Sequence, residues 1–106
     1  MRPGDRVLEI GCGIGTLSGL IAEELGSRGS LLSIDLSPKS IEVARSKHRK
    51  LTHAEFRAGD ACEIGIDGTF DVIVLPGVAL VPRHYRSWSL RHCHDLDLWL
   101  PAAGAR

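Results

Sequence analysis

The stretch Val7-Leu8-Glu9-Ile10-Gly11-Cys12-Gly13-Ile14-Gly15 decides how the chain is read. A short apolar run ends at glycines, the pattern of a strand buried on both faces of a parallel sheet. Glycines directly after such a strand permit a tight turn and let a ligand approach the backbone closely. Beyond them, Leu17, Leu20, Ile21 and Leu25 recur at three- and four-residue spacing and predict a helix face, with Gly26 as its C-cap. A strand, a glycine turn and a helix in this order aim the first amides of the helix at the turn, where a carboxylate is favoured as readily as a phosphate.

The rest of the chain repeats the pattern. Leu31-Leu32-Ser33-Ile34 predicts a second strand, and Ser37-Pro38 supplies an N-cap followed by proline at the first helical position. Ile41, Ala44, His48 and Leu51 form the apolar face of that second helix. Arg45, Lys47, Arg49 and Lys50 crowd its last turns, where cations favour the negative end of the dipole, so the cluster does not require a nucleic-acid partner. Glu55-Phe56-Arg57-Ala58 alternates and stops at Gly59-Asp60, giving a third strand; Asp67-Gly68 reads as a turn, and Phe70 to Leu75 as a fourth strand centred on Val72-Ile73-Val74. Alternating strands and helices imply parallel pairing through right-handed crossovers. The fold class is α/β: a doubly wound, Rossmann-like, mostly parallel sheet with helices on both faces.

Two carboxylates strengthen the reading of the glycine turn as a ligand site. Asp35 ends the second strand twenty positions after Gly15, where it can accept hydrogen bonds from both hydroxyls of an adenosine ribose. Helix capping beside Ser37-Pro38 is the structural alternative, and the two roles are compatible. Asp60 follows the third strand and so points into the crevice at the carboxyl ends of an open sheet. Asp71 lies at the opposite end of its strand and is read as capping a turn. A dinucleotide site shares this layout, but its fingerprint G-x-G-x-x-G wants glycine at position 16, where this chain has Thr16.

With G-x-G-x-G in place, the segment Val7 to Gly15 resembles the first motif of the class I S-adenosylmethionine-dependent methyltransferases, and the resemblance spans about residues 3 to 76. It implies residues 1–76 as a core that binds S-adenosyl-L-methionine. Glu9 would be the acid that orients the glycine loop and reaches toward the methionine part of the cofactor. Gly11, Cys12, Gly13 and Gly15 would form the floor, Asp35 would hold the ribose, and Leu36 would lie beside the adenine. Gly59-Asp60-Ala61 is similar to the third motif, whose acid meets the adenine amino group, and Phe70-Asp71-Val72-Ile73-Val74 is similar to the fourth. Leu75 and Pro76 would line the mouth where donor and acceptor meet. The activity implied is methyl transfer to a small-molecule acceptor, with no catalytic residue assigned; His84 and Tyr85 are candidates only if the acceptor must lose a proton.

The family continues past its fourth strand with a helix and three further strands, whereas thirty residues follow Pro76 here. The fold is therefore expected to be truncated after about the fourth strand, and the resemblance implies the strand order 3-2-1-4 for what remains. Residues 77–106 contain no Lys, Glu or Ile but hold both tryptophans, the only tyrosine and three histidines. They are read as an atypical tail, helical or poorly ordered, because Tyr85, Trp88, His92, Leu96 and Trp99 fit a helical face while Leu96, Leu98 and Leu100 alternate. An uncovered fourth strand would invite self-association.

The totals agree with a single modest domain of 106 residues. Thirteen basic and thirteen acidic side chains cancel, which removes any global field for nucleic acid or an anionic membrane. Cys12, Cys62 and Cys93 are odd in number and widely spaced, arguing against a disulfide framework and for a cytoplasmic chain. No run approaches signal-peptide or membrane-spanning length. Arg91-His92-Cys93-His94-Asp95 contains ligand types without a second pair to complete a tetrahedral set, so no metal is expected.

Overall fold

A computed structural model describes residues 1–61, 63, 68–75, 79–80 and 87–88. In chain order it contains β1 (Arg6–Ile10), α1 (Thr16–Leu25), β2 (Ser30–Asp35), α2 (Pro38–Lys47), β3 (Ala54–Ala58), β4 (Gly68–Thr69), β5 (Val72–Leu75), β6 (Ala79–Leu80) and β7 (Ser87–Trp88). The main sheet has the order β3-β2-β1-β5-β6. Its first four strands are parallel, and β6 runs antiparallel to β5. Strand β5 is the fourth long strand of the sequence reading, so the order 3-2-1-4 is present with one short strand added.

Side chains alternate along each strand, and the register places Val7, Glu9, Leu31, Ser33, Phe56, Val72 and Val74 on one face. Both described helices cover that face. Ile21, Ala22 and Leu25 of α1 pack on Val7, Leu31, Val72 and Val74, while Ile41 and Ala44 of α2 pack on Phe56 and Cys12. Successive right-handed crossovers that advance in one direction keep their helices on one face, and this sheet reverses direction only between β3 and β5. Helices on the other face, part of the expected doubly wound architecture, are not among the described residues. Leu8, Ile34 and Ile73 on that other face are nevertheless fully buried.

Helix α1 differs in detail from its expected face. Ser18, Ile21, Ala22 and Leu25 are buried, whereas Leu17 and Leu20 are exposed. Apolar spacing alone misplaces the stripe because it cannot register that Ser18, one step round the helix, is drawn inward by a buried acid. Gly26 is the C-cap as expected, its amide bonding the Ala22 carbonyl. In α2 the Ser37 hydroxyl accepts from the Ser40 amide at 3.2 Å with Pro38 at the first helical position, as the sequence predicts. His48 and Leu51, assigned to the face of this helix, lie past its last residue: His48 is its C-cap, and Leu51 packs on the α1 cluster from the following turn.

Three further expectations are corrected. Asp71 ties two strands together instead of capping a local turn: its carboxylate accepts from the Arg6 amide at 2.9 Å, and its own amide donates to the Arg6 carbonyl. Gly68, read as part of a turn with Asp67, pairs with Trp88 across β4 and β7, which also removes Trp88 from a continuous helical face; Asp67 lies outside the described residues. The fourth strand is not uncovered along its length, since Val74 and Leu75 pair with Leu80 and Ala79. His84, Tyr85, Cys62 and the cluster Arg91 to Asp95 lie outside the described residues.

Candidate functional site

At the carboxyl ends of β1, β2 and β3 a cleft of about 220 Å³ opens, lined by Ile10, Gly11, Ile34, Asp35, Leu36, Gly59, Asp60 and Ala61. Parallel pairing creates it, because Ile10 stands opposite Ile34 and Asp35 opposite Ala58, so that each strand releases its next residues into the same crevice. Of the ten residues expected at the site, Gly11, Asp35, Leu36, Asp60 and Ala61 meet here. Ile10, Ile34 and Gly59 also line it. The first two end their apolar runs and could have been found as the last side chains before each turn. Gly59 holds φ 143°, a conformation that suits glycine, and its amide bonds the Asp35 carbonyl at 2.8 Å.

The glycine loop is held from within the chain. The Gly11 and Cys12 amides both donate to the Ile34 carbonyl, at 2.7 and 3.0 Å. One Asp35 carboxylate oxygen accepts from the Gly13 amide at 2.7 Å and the other from the Ser37 amide at 3.0 Å. Asp35 therefore joins the loop to the start of α2, and an ionised carboxylate offers about four lone-pair sites, so acceptor capacity remains on both oxygens. Gly11 and Gly13 have positive φ values of 89° and 58°, and a Cβ placed on either would meet nothing within 4 Å. The loop thus borders open space that a ligand can fill.

The other expected residues lie around this cleft and not on its wall. Glu9 is fully buried, and its Oε1 accepts from the Ser18 hydroxyl at 2.5 Å and the Ser33 hydroxyl at 2.7 Å. Its Oε2 is buried without a hydrogen-bond partner. Fixed between α1 and β2, Glu9 braces the strand that carries the loop; the geometry gives it no direct exposure to a ligand. Cys12 turns inward among Ile41, Ala44 and Phe56. Burial, with the negative charges of Glu9 and Asp35 added, pushes its thiol up to about 12, which rules out a thiolate at the helix start. Gly15 is the N-cap of α1 in the left-handed region at φ 88°. Leu75 is buried on β5, beyond the cleft's lining residues.

Among the described residues no group of three His, Cys, Asp or Glu side chains could hold a metal, and no helix is long and apolar enough to cross a membrane. The basic cluster at the end of α2 includes a structural member: Arg45 donates through Nε and Nη2 to the Phe56 carbonyl, at 3.1 and 2.7 Å.

A family model of methyltransferase domains matches residues 1–95. The 2-phytyl-1,4-naphtoquinone methyltransferase of Synechococcus elongatus is 37% identical over 78 residues, covering 70% of this chain and 34% of that protein. The ribosomal protein L11 methyltransferase of Ralstonia nicotianae is 38% identical over 76 residues, covering 70% and 24%. The chain thus spans about a third or less of the curated relatives it matches. The crystal structure of a SAM-dependent methyltransferase from Aquifex aeolicus aligns with a TM-score of 0.64 at 26% identity, over 70% of this chain and 41% of that one. Aeropyrum pernix fibrillarin, in complex with natively bound S-adenosyl-L-methionine, shares the fold with a TM-score of 0.64 at 20% identity, over 70% and 34%. Sequence match, sheet order and glycine loop agree, and the chain belongs to the class I S-adenosylmethionine-dependent methyltransferase family.

Proposed function

We propose that this chain binds S-adenosyl-L-methionine in the Asp35–Asp60 cleft and contributes the donor half of a methyltransferase site acting on a small-molecule acceptor. The observation that carries the reading is the Asp35 carboxylate, which is bonded to the Gly13 amide, lines the cleft and keeps unused acceptor capacity. The cleft is smaller than the roughly 300–1,000 Å³ of pockets that enclose a whole drug-sized ligand. It suits the adenosine portion, with the methionine portion lying over Gly11 and Gly13, where open space begins.

When bound, S-adenosylmethionine supplies an electrophilic methyl group on a sulfonium. Asp35 would accept from the ribose hydroxyls, and Asp60 from the adenine amino group. Ile34, Leu36 and Ala61 would exclude water from the base. Glu9 would act from beneath, keeping β1 and the loop at a fixed height through Ser18 and Ser33. Leu75 would stand toward the mouth. Displacement at a methyl group is in-line, so holding donor and acceptor at near-attack distance supplies most of the acceleration, and a general base is needed only for an acceptor that must lose a proton.

The two relatives are named for different acceptors, a naphtoquinone and a ribosomal protein. The balanced charge offers no field for a nucleic-acid acceptor, which leaves a small molecule, the acceptor proposed here, or a protein. The scattered cysteines favour the cytoplasm. The share of the relatives spanned supports a second reading, in which the chain binds the cofactor and does not by itself turn over an acceptor. Self-association through Val72 and Ile73 of β5, which have no β6 partner among the described residues, is the matching proposal for quaternary structure, checked by light scattering across a concentration series.

Calorimetric titration with S-adenosylmethionine, repeated on Asp35→Ala, tests the site. Loss of two hydrogen bonds to a charged acceptor predicts a fall in affinity of about 100-fold or more. Unchanged affinity in Asp35→Ala would show that the cofactor lies elsewhere.

A further inference from the structure

The glycine loop is tied to α2 at a second point that neither its motif nor its lining residues reveal. His48, the C-cap of α2, places its ring Nε2 2.7 Å from the Gly15 carbonyl oxygen. A carbonyl oxygen only accepts, so Nε2 must carry the proton. The ring stacks on Phe56 with centroids 5.8 Å apart and planes 11° from parallel. Phe56 is itself fixed from α2, since its carbonyl accepts two bonds from the Arg45 guanidinium.

The opposing helix is shaped to admit this ring. A Cβ on Gly15 would stand 3.1 Å from His48 Cδ2 and 3.1 Å from the Ala44 Cβ, and one on Gly19 would stand 2.7 Å from His48 Cε1. Glycine inside a helix is disfavoured relative to alanine, yet Gly19 sits in the second turn of α1. The clearance for His48 is a physical reason for it. Gly15 is the residue whose left-handed backbone converts loop into helix, and its carbonyl otherwise accepts only a long 3.3 Å bond from the Gly19 amide.

We propose that His48 is a positioning residue for the cofactor loop: by donating to the Gly15 carbonyl it fixes the orientation of the peptides that open α1, while Asp35 fixes Gly13. Helix α2 then holds the loop at both of its own ends, through the Asp35 bridge to Ser37 and through His48. The proposal rests on the cofactor reading above for its functional consequence, and on the bond itself for its structural one.

Two measurements on the full chain separate these. Long-range nitrogen–proton NMR on the wild type reads the His48 tautomer: protonated Nε2 is expected, and a protonated Nδ1 with bare Nε2 overturns the proposal whether or not any variant folds. Titration with S-adenosylhomocysteine then compares the wild type with His48→Phe, which keeps an aromatic ring against Phe56 and removes the donor. Affinity is expected to fall about 3- to 10-fold, the loss of one neutral hydrogen bond, with the Thr16 and Leu17 amide resonances shifted. A folded His48→Phe chain with unchanged affinity and unshifted amides overturns it. A wild-type chain that does not bind S-adenosylhomocysteine refutes the cofactor reading, and the tautomer then decides the role of His48 alone.

Discussion

Helices α1 and α2 are both ten residues long, both follow a parallel strand and both pack on the same face, yet they begin in opposite ways. At α2 the helix start closes on itself: the Ser37 hydroxyl takes the Ser40 amide, Asp35 takes the Ser37 amide, and Pro38 has no amide proton to satisfy. At α1 the N-cap is Gly15, with no side chain to cap anything. The first amides of a helix need partners, and under the proposed cofactor reading the uncapped start, beside the open Gly11 and Gly13, is the one nearer the ligand. On that reading, serine at one N-cap and glycine at the other separate a structural turn from a binding turn.

That contrast can be broken by substitution. The largest effect is expected from Gly15→Val, which forces a β-branched residue into the left-handed region and against Ala44 and His48. The combined strain and overpacking should cost about 2–4 kcal/mol in urea unfolding; an unmoved midpoint would mean that Gly15 does not set the start of α1. Next comes Ser33→Ala, which removes one of the two donors to the buried Glu9. About 1–3 kcal/mol of stability should go with it, because the carboxylate already has one oxygen without a partner.

Ser37→Ala should cost about 1 kcal/mol as a lost cap. Titration should find its S-adenosylmethionine affinity close to the wild type, since the lost hydroxyl bonds the Ser40 amide while the Ser37 amide that holds Asp35 stays in place. A large loss of affinity there would erase the distinction between the two helices.

The smallest effect concerns Cys12. Its thiol is raised from 9.0 to about 12, first by burial and then by Glu9 and Asp35, so the folded chain favours the protonated form. The sign follows: this contribution is fully present below about pH 9 and is lost as pH rises from 9 toward 12, where the unfolded thiol ionises and the folded one does not. In a chain with Cys62 and Cys93 replaced by serine, iodoacetamide at pH 8 should label Cys12 only as fast as the chain opens. Rapid labelling of the folded chain would contradict the inward placement of Cys12.

Where local rules and tertiary packing agree, the sequence was a good guide. The strand ending at Ile10, the Ser37-Pro38 cap and the Gly26 C-cap follow from patterns a few residues long, whereas the 3-2-1-4 order follows from the family resemblance. The face of α1 is not legible in the sequence because Leu17 and Leu20 look apolar in one dimension, while the burial of Ser18 depends on Glu9 nine residues earlier. The role of Asp71 is hidden because its partner, the Arg6 amide, lies 65 positions away. At the site, the residues that follow each strand were legible from position alone: Gly11, Asp35, Leu36, Asp60 and Ala61 share one cleft. Glu9, Cys12 and Gly15 come from the same motif but face the interior, because alternation along a strand and the twist of a glycine turn send neighbouring residues to different sides. The His48 tie was hidden for a related reason, since it joins two elements whose patterns are each complete without it.

Whether the glycine loop cradles a methyl donor or a dinucleotide is decided by calorimetric titration of the purified chain with S-adenosylhomocysteine and, separately, with NADH. Saturable binding of S-adenosylhomocysteine and none of NADH is expected; tight binding of NADH with none of S-adenosylhomocysteine would overturn the methyl-donor reading.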